Sequence, residues 1–199
     1  MARPREFDQD AVLDAAVRCF WQRGYEATSM RDLMDETGLA GASLYNAFGD
    51  KREVYQKALD HYVGKRIAQR IRRCEMLPPR EAIGAFFAEV IERSLADRQR
   101  KGCMLVNAAL EVAPHDRQVQ EAVARSLGRI EAFFFEQLLA GQAGGTITRS
   151  TPAQELARHL LGILMGVRVL ARVRPERTLL EGAVAPALAV LEAPRPKAG

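Results

Sequence analysis

The chain has 199 residues, 48 % of them hydrophobic and 27 % charged, enough to bury a core of its own without disulfides or a structural metal. That balance excludes bulk disorder, and the longest apolar run, Leu160 to Val167, falls well short of the roughly 20 residues that cross a bilayer, with Arg168 following it directly. The net charge is +4, but residues 1–60 hold 8 Lys and Arg against 11 Asp and Glu, so overall basicity is no argument for a nucleic-acid partner.

Apolar residues recur three and four apart nearly everywhere and no stretch alternates with period two, which predicts an all-α protein of about nine helices. The first is expected from about Asp8 to Arg23, with Leu13, Ala16, Val17 and Phe20 on one face, Asp10, Asp14 and Arg18 in water on the other, and Gly24 as a left-handed stop. A second, short helix begins at Thr28 or Ser29, because Ser29 and Asp32 have capping-box spacing, and ends at Gly38. A third follows over Ala40 to Phe48, small and polar for its first four residues and then presenting Leu44, Tyr45 and Phe48 as one apolar side. Gly49 and Asp50 break it, Asp50 with Glu53 caps the next start, and a long fourth helix runs to about Arg73.

Glu75 to Pro79 punctuates the chain, and helices are predicted at about 80–97, 103–113, 116–140, 152–173 and 178–191, with breaks at Pro114, Gly144-Gly145 and Pro175. Ile83, Phe86, Phe87, Val90 and Ile91 form one stripe suited to burial, and Val119, Val123, Leu127, Ile130, Phe134 and Leu138 form another. The Pro-rich end, 194–199, is expected to be a flexible tail.

Two short helices joined by a tight Gly-containing turn and preceded by a longer one are the plan of a helix-turn-helix, whose second helix needs small side chains in its first turn to approach base edges. Ala40-Gly41-Ala42-Ser43 supplies them. The same segment, Gly24-Tyr-Glu-Ala-Thr-Ser-Met-Arg-Asp-Leu33, Gly38-Leu39, Ser43-Leu-Tyr45, Phe48 and Asp50-Lys51, resembles the signature of the TetR/AcrR family of transcriptional regulators. The resemblance covers residues 8–60. It implies a DNA-binding helix-turn-helix domain over 1–50, a connecting helix over about 51–73, and a ligand-binding and dimerisation domain over 74–193. The implied function is that of a repressor, released from a palindromic double-stranded operator by a small-molecule effector.

Carried over residue by residue, the resemblance puts phosphate contacts at Thr28, Ser29, Tyr45 and Lys51 and base-edge contacts at Met30, Ala40, Gly41, Ser43 and Asn46. Of the latter, only Ser43 and Asn46 hydrogen-bond by side chain, Asn suiting adenine. The chain departs from the family pattern at Ala47, where His is common, at Ala40, where Ser or Thr is common, and at Met34, where Ala is common; Arg3 and Arg5 of the N-terminal arm are candidates to compensate from a minor groove.

Phe86, Phe87, Met104, Phe134 and Met165, with Met76, Phe133 and Phe135, are candidates to line a largely apolar effector pocket. Lys65, Arg66, Arg70, Arg72 and Arg73 read as a solvated face whose charge suits a helix C-terminus, with an anion site as the alternative. Gly162 and Gly166, four apart, and a stretch from Glu181 to Leu191 that is apolar on nearly every side predict homodimerisation through the last two helices, about 152–191.

Cys19, Cys74 and Cys103 form no metal-ligand spacing, and His61, His115 and His159 have no Ser, Cys or carboxylate partner at a spacing that suggests a nucleophile or a metal box, so no metal, cofactor or catalytic site is expected. Cys103 follows Arg98, Arg100 and Lys101 at a helix start; both influences favour a thiolate and make it a candidate redox or electrophile sensor, against a plain packing role. The N-terminus has no apolar signal core, so a cytoplasmic protein is expected, with no membrane partner. The alternative reading is a helical protein-interaction module that no longer binds DNA.

Overall fold

The computed structural model describes residues 7–193, so Arg3 and Arg5 and the tail 194–199 lie outside the described residues. Among the described residues there are nine helices and no strand, apart from one isolated bridge between Ile147 and Glu192. They are α1 (Gln9–Arg23), α2 (Met30–Thr37), α3 (Gly41–Phe48), α4, α5 (Pro79–Ala96), α6 (Met104–Glu111), α7 (Arg117–Ala143), α8 (Ala153–Val173) and α9 (Arg177–Ala189). Helix α4 is one continuous rod built of Lys51–Tyr62, a wider π-helical stretch Val63–Ala68, and Gln69–Cys74. That widening has no counterpart in the hydrophobic period from which the helix was predicted.

The starts follow local side-chain chemistry. Asp8 caps α1 by accepting from the Asp10 and Ala11 amides, and both expected capping boxes form, Ser29 with Asp32 and Asp50 with Glu53. Gly38 closes α2 in the left-handed region at φ 71, ψ 9, which gives the tight turn into α3. Gly24 also has positive φ, but with ψ 168 it lies outside the left-handed helical basin, so it ends α1 by turning the chain away.

Helix α1 packs on α2 and α4, and α3 closes that group against both. In the remainder α7 runs along α8 and α5, and α9 lies on α8 and α5. The core is contiguous from Val12 to Leu191, and every residue of the predicted 83–91 stripe is buried; of the stripe predicted along α7, Leu127 is half-buried and the rest are buried. Phe86, Phe87, Phe133 and Phe134 stack on one another at its centre, with ring centroids 5.2–6.2 Å apart.

Three expectations of exposure are corrected. Tyr45 is not on the apolar side of α3: only Leu44 and Phe48 are buried, and Tyr45 is 51 % exposed. Asp14 is not wholly in water, because one oxygen lies 2.9 Å from His61 Nε2 and the other accepts from Lys65 Nζ at 2.8 Å. Opposed by burial but outweighed by these two hydrogen bonds, its pKa lies below the usual carboxylate value. Arg70 is not on a solvated face: it is 3 % exposed, turned in toward Phe86 and Glu89.

Candidate nucleic-acid interface

Helix α3 is eight residues long and amphipathic. Leu44 and Phe48 anchor it to the core, while Ala42, Ser43, Tyr45, Asn46 and Ala47 face solvent. Its N-cap, Ala40, has no side-chain acceptor, so the first amides of the helix remain free for an outside group. The side chains of Ser43 and Asn46 make no hydrogen bond among the described residues. At the other end of the helix, Lys57 Nζ donates to the carbonyls of Ala47 (3.3 Å) and Phe48 (3.0 Å), a cation at the negative pole that sequence reading passed over.

Gly41 lets α3 approach α2: a Cβ there would stand 2.9 Å from Met34 Sδ. The unusually large Met34 is therefore accommodated by the absence of a side chain at Gly41. Of the predicted contacts, Ala40, Ser43, Tyr45 and Asn46 are exposed at α3, while Gly41 is half-buried where the helix approaches Met34. Met30 is half-buried against the core.

The start of α2 differs from expectation. Thr28 is 1 % exposed, its hydroxyl donating to the Gly24 carbonyl at 2.7 Å and its amide to that of Tyr25 at 3.3 Å, so it holds the α1–α2 turn and does not present itself to a phosphate. Ser29 is exposed, but its hydroxyl is already engaged with Asp32. Lys51 reaches back across that turn, Nζ donating to the Glu26 carbonyl at 3.2 Å and lying 4.4 Å from the centre of the Tyr25 ring, with further donor capacity left on the ammonium. Arg31, exposed in the first turn of α2 and in no ion pair among the described residues, is a cation the sequence reading did not single out.

Several acids of this region are occupied. Asp32 pairs with Arg23 at 2.5 Å, Glu36 with Arg18 at 3.1 Å, and Asp116 with Arg52. Hydrogen bonds from Ser29 hold the Asp32 carboxyl below its ordinary pKa.

The apolar effector pocket expected around Phe86, Phe87, Met104 and Phe134 is not formed; these four are packed solid, at most 2 % exposed. Phe87 borders only a shallow groove between α5 and α9, Met165 is half-buried, and Met76 is 84 % exposed. Cys103 is 5 % exposed at the N-cap of α6, and its Sγ accepts from the Tyr62 hydroxyl at 3.6 Å. Lys101 leans over Trp21 and Arg98 and Arg100 are in solvent, so a reagent reaches this thiol only if α4 and α6 part. Among the described residues no helix is long and apolar enough to cross a membrane, and no cluster has metal-binding geometry.

The sequence model described as "Bacterial regulatory proteins, tetR family" matches residues 12–58, and that described as "Tetracyclin repressor-like, C-terminal domain" matches residues 79–186. The chain is 31 % identical over 194 residues to the uncharacterized HTH-type transcriptional regulator YezE of Bacillus subtilis, covering 96 % of this chain and 100 % of that one. It is 30 % identical to the HTH-type transcriptional repressor ComR of Escherichia coli, covering 85 % and 82 %. Among solved structures it superposes on a cysteine-substituted form of the TetR family regulator CifR in complex with 26-base-pair double-stranded operator DNA, with a TM-score of 0.83 and 34 % identity over 94 % of this chain and 98 % of that one.

Proposed function

The chain belongs to the TetR family of bacterial transcriptional regulators, and from that premise we propose that it is a repressor that binds a palindromic operator as a homodimer and leaves it when a small molecule binds. The observation that carries this reading is the surface of α3: an eight-residue helix with free N-terminal amides, small residues in its first turn, and two unengaged hydrogen-bonding side chains, Ser43 and Asn46. The operator complex of CifR supports it, since that protein matches 94 % of this chain at 34 % identity. Residues 1–50 then read DNA, α4 transmits, and 74–193 dimerise and sense.

Dimerisation is supported by what the single chain leaves uncovered. On α8, Gly162, Gly166, Val169 and Val173 form an exposed stripe, and a Cβ at either glycine would meet nothing within 4 Å. On α9, Gly182, Ala185, Ala189 and Val190 form another. Two such small-residue faces allow the two-fold mates to pack closely as a four-helix interface.

A mobility shift with the DNA beside the protein's own gene tests the reading against the alternative of an interaction module. A regulator shifts that fragment in the presence of excess competitor; a module does not. Within the site, Tyr45→Phe should weaken binding to every sequence alike. Asn46→Ala should instead relax preference at one operator position by about 1–3 kcal/mol. An unchanged base preference at every position in Asn46→Ala would remove that residue from direct readout.

A further inference from the structure

A cavity of about 310 Å³ opens between the two halves of the molecule, and its chemistry is not that of the apolar pocket expected from the sequence. Trp21 of α1, Tyr62, Arg66 and Arg70 of α4, Arg93, Ser94 and Asp97 of α5, Lys101 and Gly102, and Arg168 of α8 line it. Five cations therefore face one carboxylate, and that one, Asp97, already accepts from the Gly102 amide at 3.1 Å.

Neighbouring acids do not make up the difference. Glu89, just behind the wall, is shared by Arg70, Arg73 and Arg93 at 2.8–3.2 Å. Arg66, Lys101 and Arg168 have no acidic partner among the described residues; Arg168 donates only to Ser94 Oγ at 3.3 Å, and Lys101 lies 5.0 Å from the centre of the Trp21 ring. Arg70 is 3 % exposed, and its Nε, although 3.2 Å from Glu89 Oε1, is too poorly aligned to form a hydrogen bond and is left without one. Burial first, and the like charge of Arg168 second, hold the Arg70 pKa below the ordinary guanidinium value. Cations gathered in a part-buried space without counter-charges are costly, and an anion entering the space would relieve that cost.

The walls also set the rest of the ligand. Trp21 and Tyr62 meet edge to face at 5.3 Å, and the Trp21 indole N–H is already spent on the Gly102 carbonyl at 3.1 Å, so these rings offer apolar surface. The volume lies at the small end of the range of ligand pockets. We propose that this cavity binds a small organic anion, a carboxylate or phosphate ester with a compact aromatic or apolar body, its charge on Arg70 and Arg168 and its body against Trp21 and Tyr62.

Its position gives such a ligand leverage. It would touch α1 directly and α4 where the helix widens over Val63–Ala68, a distortion often found at functional sites. This consequence, that the anion is the effector, rests on the repressor reading; binding itself does not.

Trp21 is the chain's one tryptophan, so its fluorescence reports occupancy without a label. The full-length protein, free of DNA, should be titrated with phenylacetate, phenyl phosphate, inorganic phosphate and the neutral phenylacetamide. At least one aromatic anion should give a saturable change at least about 10-fold tighter than phenylacetamide and inorganic phosphate, and Arg168→Gln should weaken it by a similar factor with thermal stability not lowered. Lys101→Gln, at a half-buried site, is the second variant if Arg168→Gln folds poorly. The inference falls if neither aromatic anion saturates below about 10 mM, if the amide or inorganic phosphate binds as well, or if the folded variant binds as wild type does. These measurements use no operator, so their failure leaves the repressor reading standing, and failure of the operator shift leaves them untouched.

Discussion

Gly166→Leu should convert the protein in sedimentation from a dimer to a monomer and lower its affinity for the operator on the order of 100-fold or more, since a half-site bound alone forfeits the gain from linked binding. The chain folds around Gly166 with nothing opposite it, so a leucine would be tolerated within the monomer. The cost would appear only where a second copy approaches along the stripe of Gly162, Gly166, Val169 and Val173. Thermal unfolding of dilute protein should consequently change little, while the concentration dependence of unfolding that accompanies dimerisation is lost. A wild-type monomer at micromolar concentration, or a Gly166→Leu dimer that binds DNA normally, would move the interface elsewhere.

Phe134→Ala should destabilise the protein by about 3–5 kcal/mol in urea or thermal unfolding, the range for deleting a fully enclosed aromatic side chain. Phe134 has no exposed surface; its ring is nearly parallel to that of Phe87, with centroids 5.6 Å apart, and meets Phe86 edge-on at 5.2 Å. The prediction separates two views of the cluster. A residue lining a functional cavity would leave little new void when truncated and cost far less; a loss below about 1 kcal/mol would return the aromatic cluster to the candidate effector sites.

What was legible in the sequence is local. Ser29 with Asp32 and Asp50 with Glu53 announce helix starts because the chemistry of a capping box lies within four residues, and Gly38 announces a turn because a glycine readily takes the left-handed φ needed there. The small first turn of α3 follows from the same short-range pattern, whereas the role expected of Asn46 is what the family resemblance implies. The errors concern partners far apart in sequence. Arg70 looks like one of five cations in a solvated run until Glu89 and Arg168, on two other helices, are brought to it. His61 looks unpartnered because Asp14 is 47 residues away. Thr28 is the exception: the family resemblance puts a phosphate contact there, yet its hydroxyl is taken by the Gly24 carbonyl only four residues back. Aromatic and methionine residues on α5 to α8 suited a pocket by composition, whereas Phe86, Phe87, Met104 and Phe134 are packed solid, and a cavity lined by charged groups lies instead at the seam between α1, α4, α5 and α8.

That seam also suggests how the two halves communicate. The Arg52–Asp116 pair and the bond from Gln56 to Gln118 at 2.9 Å tie the first turns of α4 to the start of α7. At its other end α4 supplies Tyr62, Arg66 and Arg70 to the cavity. A shift of α4 driven from the cavity would therefore carry the helix-turn-helix relative to its two-fold mate, altering the spacing of the two α3 helices on DNA.

Selection of binding sites from a pool of random DNA duplexes by the full-length protein tests the central claim most directly. Specific recognition by two α3 helices predicts enrichment of a palindrome whose half-sites carry a base preference that Asn46→Ala relaxes at one position in each. Recovery of no common sequence, with retention that depends on salt alone, would contradict it.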